Sequence, residues 1–365
     1  VTPRSEDALA LVLQAASAES WRVRIEGAAT WMPADAPADL ALSTRGLSAL
    51  VHLSAADLVA TAQAGMTWDE LRRALADQGT WLAADPPGGG GRTLGSVVST
   101  ASAGPLRSGF GGIREHLLGL TLVTGHGRIT RPGGRVMKNV AGFDLTKLAT
   151  GSFGGFGVVT SLHLRLRAVP RADVTLLAHG DRDALVSAAV RTLAAGASPA
   201  ALELLSPQAA GRDGWTLAVR LTGSVPGVES ERHAVSAALE LPAGELAAAD
   251  AAQFWRAALS SPAGRPGPLR LGGLPASIDE LLDLLAHHLD SDWVMASVAA
   301  GAIRWSGTAT ADRIKLLRHA ASQREVPLTL ERGPWGIREQ VGHFGAYREG
   351  VGPLVSNLRS EFDPA

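Results

Sequence analysis

Residues 85–104 read DPPGGGGRTLGSVVSTASAG, and the interpretation of the first half of the chain starts from this stretch. Four consecutive glycines lead into a run of small residues that we predict to be a short helix. Glycine costs backbone entropy wherever the chain is ordered, so a glycine cluster indicates a place where the backbone approaches another group closely. The N–H groups of such a loop, and of the helix start behind it, bind anionic oxygens without any lysine.

Two further segments in the first half of the chain have the same character. Residues 27–30, GAAT, follow a predicted strand, and residues 151–157, GSFGGFG, precede a long alternating strand predicted over 158–169. Taken singly, each segment is explained at least as well by an ordinary loop. Together the three segments favour one ligand site that they share.

The elements predicted along the chain are of mixed type. Short helices and strands alternate with glycine clusters up to Pro170, and longer Ala- and Leu-rich helices alternate with single strands after it. Two successive β-α-β-β-α-like units after Pro170 predict helices on one face of a mostly antiparallel sheet. We therefore predict the α+β class.

Composition excludes several kinds of function. The 365 residues carry 34 Lys plus Arg and 35 Asp plus Glu, so no basic excess favours a nucleic acid partner. Cysteine is absent, which excludes disulfides, thiolate nucleophiles, cysteine-ligated iron–sulfur clusters and cysteine-linked flavins in this chain. No apolar run reaches eighteen residues and no signal peptide is visible, so we expect no transmembrane segment and a cytoplasmic location. The Rossmann, P-loop and G-x-S-x-G patterns are absent, and the histidines form no recognisable metal-ligand set, so we expect no metal.

Three motifs resemble one flavoprotein family. Residues 93–104 resemble the T-[IL]-G-[GS]…[AS]-G segment of FAD-binding domains of the vanillyl-alcohol-oxidase / p-cresol methylhydroxylase (PCMH) type. Residues 134–145, GRVMKNVAGFDL, are more specific and are similar to a stretch in the FAD-binding E subunits of bacterial glycolate oxidases. Residues 151–160 resemble a further motif of the same subunits, and the order and spacing agree from about residue 20 to 170.

The resemblance implies a fold and its boundaries. We expect a PCMH-type FAD-binding domain over residues 1–170, with subdomains of about 1–55 and 56–170 that hold FAD between them. An α+β cap domain with a mostly antiparallel sheet would follow over residues 171–332. The tail, residues 333–365, would return to the FAD domain.

The resemblance also implies which residues lie against the cofactor. The first pyrophosphate loop would consist of Gly27, Ala28, Ala29 and Thr30, where relatives often have G-G-G-T. The second segment would contribute Pro87, Gly88, Thr93, Leu94, Gly95, Ser99, Thr100, Ala103 and Gly104, and a later turn would contribute Gly157, Val158 and Val159. Lys138 and Asn139 would lie near the cofactor or the mouth of the site. Negative charge on the reduced flavin would be stabilised by Lys138, Arg107 or Arg114, among which spacing does not choose.

The resemblance also indicates which subunit of the complex oxidises the substrate. Relatives that oxidise D-2-hydroxy acids directly carry a His-rich, acidic motif in the cap, where this chain has AAGAIRW at residues 299–305. General-base catalysis needs a titratable group near the substrate proton, and this segment supplies neither histidine nor carboxylate. We therefore expect a subunit that binds FAD non-covalently and relays electrons in a glycolate oxidase-like complex. Its partners would be a catalytic flavin subunit and an iron–sulfur subunit, through which it would lie peripheral to the inner membrane, and the complex would act on a small 2-hydroxy acid.

Two alternatives stay open at this stage. The first is a self-sufficient FAD-dependent D-2-hydroxy acid dehydrogenase, in which Arg304 clamps the substrate carboxylate and His343 or Tyr347 is the base; a structural salt bridge explains Arg304 equally well. The second is a flavin-free assembly subunit with a decayed nucleotide pocket. Its only support in the sequence is the pair of alanines in the first loop. No catalytic residue is assigned from the sequence.

Overall fold

The structure is a computed structural model that describes residues 1–134, 144–260, 268–290, 292–345, 347 and 349–363. The chain divides into two compact units. The first unit comprises Val1–Ala103, Gly111–Val169 and Tyr347–Ala365, and the second comprises Gly104–Phe110 and Pro170–Ala346.

The α-helices and strands are as follows. The helices are α1 (Glu6–Ala18), α2 (Trp68–Ala76), α3 (Leu94–Thr100), α4 (Arg107–Phe110), α5 (Leu145–Ala149), α6 (Arg182–Ala194), α7 (Pro207–Ala210), α8 (Val225–Leu239), α9 (Ala248–Ala258), α10 (Ile278–His288), α11 (Ala311–Ser322), α12 (Trp335–Val341) and α13 (Val351–Phe362). The strands are β1 (Val23–Glu26), β2 (Leu40–Ser43), β3 (Leu50–Ser54), β4 (Val59–Gln63), β5 (Thr80–Trp81), β6 (Leu117–Val123), β7 (Ile129–Thr130), β8 (Val158–Arg165), β9 (Arg167–Ala168), β10 (Ala172–Gly180), β11 (Ala201–Leu205), β12 (Trp215–Gly223), β13 (Ala243–Glu245), β14 (Leu269–Gly272), β15 (Trp293–Ser297), β16 (Ala302–Ser306) and β17 (Leu328–Leu330).

The first unit contains a five-stranded antiparallel sheet in the order β3-β4-β8-β6-β7. Strand β8 alternates as its sequence predicts, with Leu162 and Leu164 in the core and His163 between them hydrogen-bonded to a neighbouring strand. Helix α2 begins with a capping box, in which Thr67 and Glu70 exchange hydrogen bonds. A separate parallel pair, β1 and β2, leads into the first glycine-containing loop.

The second unit contains an eight-stranded sheet in the order β13-β10-β12-β11-β15-β16-β14-β17, with antiparallel pairing at each described neighbour. Helices α6, α8, α10 and α11 cover one face through a large apolar core. The prediction of an α+β chain with a mostly antiparallel sheet is confirmed.

The expectation that helices lie on only one face of this sheet is wrong. Helix α9 packs Phe254 and Trp255 on the opposite face, against Leu205 of β11 and its neighbours. All five residues of β11 are buried, because its apolar side chains alternate to both faces and each face needs a cover.

The two compact units do not begin and end at the domain boundaries predicted from the sequence. Residues 104–110 group with the second unit, as do the described residues between 333 and 345. Helix α13 belongs to the first unit, where the Gly125 N–H donates to the Phe362 carbonyl over 2.7 Å and the Phe362 ring meets Phe156 edge to face at 5.4 Å. The predicted domain boundaries stay a prediction.

Candidate functional site

The loop after β1 packs against the glycine-rich loop that precedes α3. A β-carbon on Gly27 would lie 2.2 Å from Thr93 Oγ1, so only glycine permits this approach. Ala29 has φ +51, a left-handed conformation that glycine adopts at lower cost. The backbone of residues 27–30 therefore follows a glycine-type path in spite of its two alanines.

Arg92 holds the glycine-rich loop before α3, called the second loop below, through hydrogen bonds and a stacking contact. Its side chain is fully buried, stacks on Trp31 with 4.3 Å between the guanidinium carbon and the ring centroid, and donates to the Pro87 carbonyl over 2.8 Å. It also donates to Thr100 Oγ1 over 2.8 Å and to the carbonyl and hydroxyl of Ser96. One arginine thus ties the loop to the first turns of α3 and to the neighbouring loop.

Gly88 explains why the loop can close around Arg92. Its φ of +99 lies in the region that favours glycine, and a β-carbon there would lie 2.4 Å from Trp31 Cε3. Gly88 was predicted to line the site, whereas Arg92 and Trp31 were not. The sequence feature that could have indicated the role of Arg92 is a single arginine between four glycines and a Thr-Leu-Gly helix start.

Backbone donors gather where these two loops meet. Within the described part of the chain, the N–H groups of residues 28–30 and 88–91 donate no hydrogen bond to another protein group. The loops lie side by side, since a β-carbon on Gly91 would be 3.6 Å from Thr30 Cγ2. N–H groups without a protein acceptor on two adjacent loops are donors of the kind that bind an anion, and the carboxylate of Asp69 lies against Gly90 of the second loop.

The start of helix α3 does not add to this surface as the sequence predicted. The N–H groups of Leu94 and Gly95 donate to the carbonyls of Met66 and Ala64 over 2.9 and 2.8 Å. The third N–H, that of Ser96, is capped by Thr93 Oγ1 over 3.3 Å. The expectation that this helix start offers N–H groups to a ligand is therefore wrong, because those donors hold the helix to the turn after β4.

The third glycine-rich segment packs on the other end of α3. The N–H groups of Gly151 and Phe153 donate to the carbonyls of Val98 and Ser99 over 3.0 and 2.8 Å. Gly157 lies against β6, where a β-carbon would be 2.3 Å from the Val123 carbonyl oxygen. The described contacts of this segment thus support α3 and the sheet.

The other residues selected from the sequence are placed as follows. Val158 and Val159 are buried in β8, Leu94 and Ala103 are buried, and Ser99 is half-buried. Thr100 Oγ1 bonds Arg92, the Ser96 carbonyl and Ser102 Oγ, and Gly104 is a buried residue of the second unit. Lys138 and Asn139 lie outside the described residues. Arg114 is exposed in the first unit and Arg107 is exposed in the second.

One buried histidine stands apart from the loops. His116 is fully buried, and the backbone of Ala83 approaches its ring closely enough to oppose, without cancelling, the fall of the His116 pKa. Desolvation, aided by the charges of Arg165 and Arg167, lowers the pKa of His116 to about 4. His116 is therefore neutral at physiological pH and has a structural role. No set of three or more His, Asp or Glu side chains gathers as metal ligands in the described part of the chain.

The first 133 residues of the chain match a known family of domains. Residues 1–133 match the family described as FAD binding domain. The chain is also similar to the glycolate oxidase subunit GlcE of Escherichia coli (strain K12), with 38% identity over 136 residues, 37% of this chain and 39% of that protein. Residues 1–133 form an FAD-binding domain. FAD is the cofactor of this domain.

Other relatives extend the match. Glycolate oxidase subunit GlcD of Bacillus subtilis (strain 168) is 30% identical over 209 residues, 56% of this chain and 44% of that protein. The mitochondrial D-lactate dehydrogenase [cytochrome] of Arabidopsis thaliana is 29% identical over 214 residues, 56% of this chain and 36% of that protein. The matches therefore span less than half the length of each of these curated relatives.

The fold has a counterpart among solved structures. An alkyldihydroxyacetonephosphate synthase structure superimposes with a TM-score of 0.74 and 16% identity, covering 100% of this chain and 74% of the other. At that identity the likeness concerns the fold alone. No helix in the described part of the chain is long and apolar enough to cross a bilayer.

The loops of the FAD-binding domain have the donors that this cofactor needs. FAD carries a diphosphate, which requires N–H donors, and the two loops present N–H groups at residues 28–30 and 88–91. The approach of Gly27 to Thr93 keeps the two sets of donors adjacent. The buried guanidinium of Arg92 holds the second loop through its bond to the Pro87 carbonyl. The residues present therefore fit the cofactor.

Proposed function

We propose that this chain is the FAD-binding subunit of a glycolate oxidase-like complex and that it takes part in the oxidation of a small D-2-hydroxy acid. The observation that carries the proposal is the pairing of two loops with unoccupied backbone donors in a domain whose sequence is similar to GlcE. When bound, FAD supplies the capacity to accept a hydride and to pass electrons on.

In this proposal the two loops hold the diphosphate. The N–H groups of residues 28–30 and 88–91 would donate to the phosphate oxygens. Thr93, Leu94 and Gly95 fix the position of the second loop through the bonds of α3 to the turn after β4. We also propose that the other residues selected from the sequence contact the cofactor. They are Pro87, Ser99, Thr100, Ala103, Gly104, Lys138, Asn139, Gly157, Val158 and Val159.

Attachment of the cofactor is proposed to be non-covalent. The chain has no cysteine, so a thioether link is excluded. His116 makes a poor nucleophile for a histidyl link, since it is fully buried in the first unit.

Support for the electron-relay role comes from segment 299–305 of the second unit, where no side chain is suited to act as a general base. In β16, Arg304 is the titratable residue of the segment 299–305, and its guanidinium is held by Glu331. Neither group is suited to remove a proton, because an arginine stays protonated and this carboxylate is engaged in an ion pair. We therefore assign hydroxy acid oxidation to a partner subunit and electron transfer to this chain, with an iron–sulfur subunit as the further proposed partner.

One observation favours a second candidate, a self-sufficient D-2-hydroxy acid dehydrogenase. His343 Nδ1 lies 2.7 Å from the Leu330 carbonyl, and burial lowers the pKa of His343. A neutral ring that donates from Nδ1 carries its lone pair on Nε2, which is the form that a general base requires. Tyr347, the other base considered, is 44% exposed in the first unit.

The test is to purify the chain alone and with its partners. The proposal expects a yellow protein that retains FAD and turns over glycolate only when the partner subunits are added. Reduction of its flavin by glycolate at a catalytic rate without partners would favour the second candidate, and His343→Gln should then abolish that reduction. A chain that stays colourless after incubation with FAD would instead support a flavin-free assembly subunit.

A further inference from the structure

The first turn of helix α2 is bonded to the second loop. The Trp68 N–H donates to the Arg92 carbonyl over 2.8 Å. The next N–H, that of Asp69, donates to the Gly90 carbonyl over 3.0 Å. Both bonds join main-chain atoms, so they do not depend on the side chain of residue 69. A different side chain at this residue therefore leaves the helix and the loop joined.

These bonds bring the carboxylate of Asp69 against the second loop. A β-carbon on Gly90 would overlap the carboxylate oxygens, so the approach requires glycine. A β-carbon lies about 2.5 Å from its own backbone nitrogen, which places the carboxylate within about 4.5 Å of the Gly90 nitrogen. The Gly90 N–H has no acceptor in the described part of the chain. A phosphate oxygen bound to it would therefore lie within about 7.5 Å of a negative charge.

The negative charge of Asp69 is incompletely balanced. Arg72 Nε lies 3.3 Å from Asp69 Oδ1, and the two side chains are 66% and 50% exposed. Water weakens an ion pair between such exposed partners, so the carboxylate still acts on other charges nearby. The capping box of α2 is complete with Thr67 and Glu70, so Asp69 is not required to start the helix.

Backbone donors alone do not distinguish one phosphate compound from another. The N–H groups of a loop bind the anionic oxygens of any phosphate. A terminal phosphate monoester carries nearly two negative charges at neutral pH, because its second pKa is about 6, whereas each phosphate inside the FAD diphosphate carries a single charge. A nearby carboxylate therefore disfavours nucleoside diphosphates and triphosphates more than it disfavours FAD.

We propose that Asp69 makes the cofactor site selective for FAD over nucleotides that end in a free phosphate group, such as ADP and ATP. The inference rests on the proposed function, in which the two loops hold the FAD diphosphate. Repulsion between two unit charges about 7 Å apart in a water-like dielectric changes affinity about threefold. ADP carries about one negative charge more than FAD and ATP about two more, so Asp69 supplies discrimination of about threefold and tenfold.

The test measures nucleotide binding to the full chain after its flavin has been removed. Dissociation constants of FAD, ADP and ATP are determined by titration calorimetry without divalent cations, for the wild type, Asp69→Asn and Arg72→Met. Asp77→Asn is the matched control, because it removes an exposed carboxylate at the other end of α2. Urea unfolding checks that every variant is folded.

We expect Asp69→Asn to gain affinity for ADP about threefold, and for ATP about tenfold, relative to its change for FAD. Arg72→Met leaves the carboxylate without its partner, so it should shift the affinity ratios in the opposite direction. Asp77→Asn should keep the ratios of the wild type. At about 1 M salt the Debye length is about 3 Å, so the differences should vanish, whereas the effect of an altered loop shape would persist.

The outcomes separate the role of Asp69 from the proposed function. Unchanged ratios at low salt, an Asp69→Asn protein that still binds neither ADP nor ATP, or a shift that persists at high salt would refute the role of Asp69. If FAD binds the wild type in those cases, the proposed function stands without this inference. A wild type that binds no FAD would refute the proposed function itself.

Discussion

The burial of His116 makes a quantitative prediction about acid stability. The pKa of its imidazole falls from 6.5 to about 4 in the folded protein, chiefly because burial removes the ring from water. Between these values the unfolded chain binds a proton that the folded chain refuses, so the free energy of unfolding decreases as the pH falls. The loss from this one residue is about 2 kcal/mol at pH 5 and about 3 kcal/mol at pH 4.

The measurement compares urea unfolding of the wild type with His116→Gln at pH 7, 6, 5 and 4. The other titrating groups are shared, so the difference between the two proteins isolates His116. We expect the free energy of unfolding of the variant to decline less steeply below pH 6.5. His126→Gln removes an exposed histidine of the same unit and should keep the wild-type pH dependence. Equal slopes for the wild type and His116→Gln would refute the reasoning.

Four further substitutions test the cofactor loops and the residues that support them. Arg92→Met leaves buried acceptors such as the Pro87 carbonyl without their donor. We therefore expect the free energy of unfolding in urea to fall by about 3 kcal/mol and FAD to bind more weakly in an equilibrium titration. An unchanged FAD affinity would contradict the role of Arg92 in supporting the loop. Ala29→Gly should raise the free energy of unfolding by about 0.5 kcal/mol, because it relieves the strain of a φ of +51. Ala28→Gly is the control and should lower the free energy of unfolding, because Ala28 has no positive φ. The opposite order would be inconsistent with a left-handed Ala29. Thr67→Val removes the hydroxyl of the capping box of α2 and should cost about 1 kcal/mol in thermal or urea unfolding; an unchanged free energy of unfolding would contradict the capping role.

Much of the fold was predictable because its signals are local. The alternation of residues 158–165 and the Thr67–Glu70 capping box depend on neighbours in sequence, and both are present in the structure. Helix α9 was missed because its position is decided by what it covers. Strands β10, β11 and β12 are apolar on both sides, and only the assembled sheet shows that a second face needs covering.

The candidate site divides in the same way. The glycine-dense loops were selected from composition, because an unhindered backbone is a property of the residues themselves. That the N–H groups of Leu94 and Gly95 are already bonded to Met66 and Ala64 could not be read from their own segment, since the acceptors lie about thirty residues earlier. The role of Arg92 was hidden for the same reason, because its burial depends on Trp31.

The sequence by itself therefore determined the α+β class, the elements with strong local signals and the chemical character of the loops. Tertiary structure alone decided which backbone donors remain for a ligand and which are used to hold the fold. It also decided that Arg304 meets Glu331, 27 residues away, and that Arg270 shares the same carboxylate. The physical reason is that local pattern depends on each residue and its neighbours, whereas the pairing of charges and donors depends on which strands become adjacent when the sheet forms.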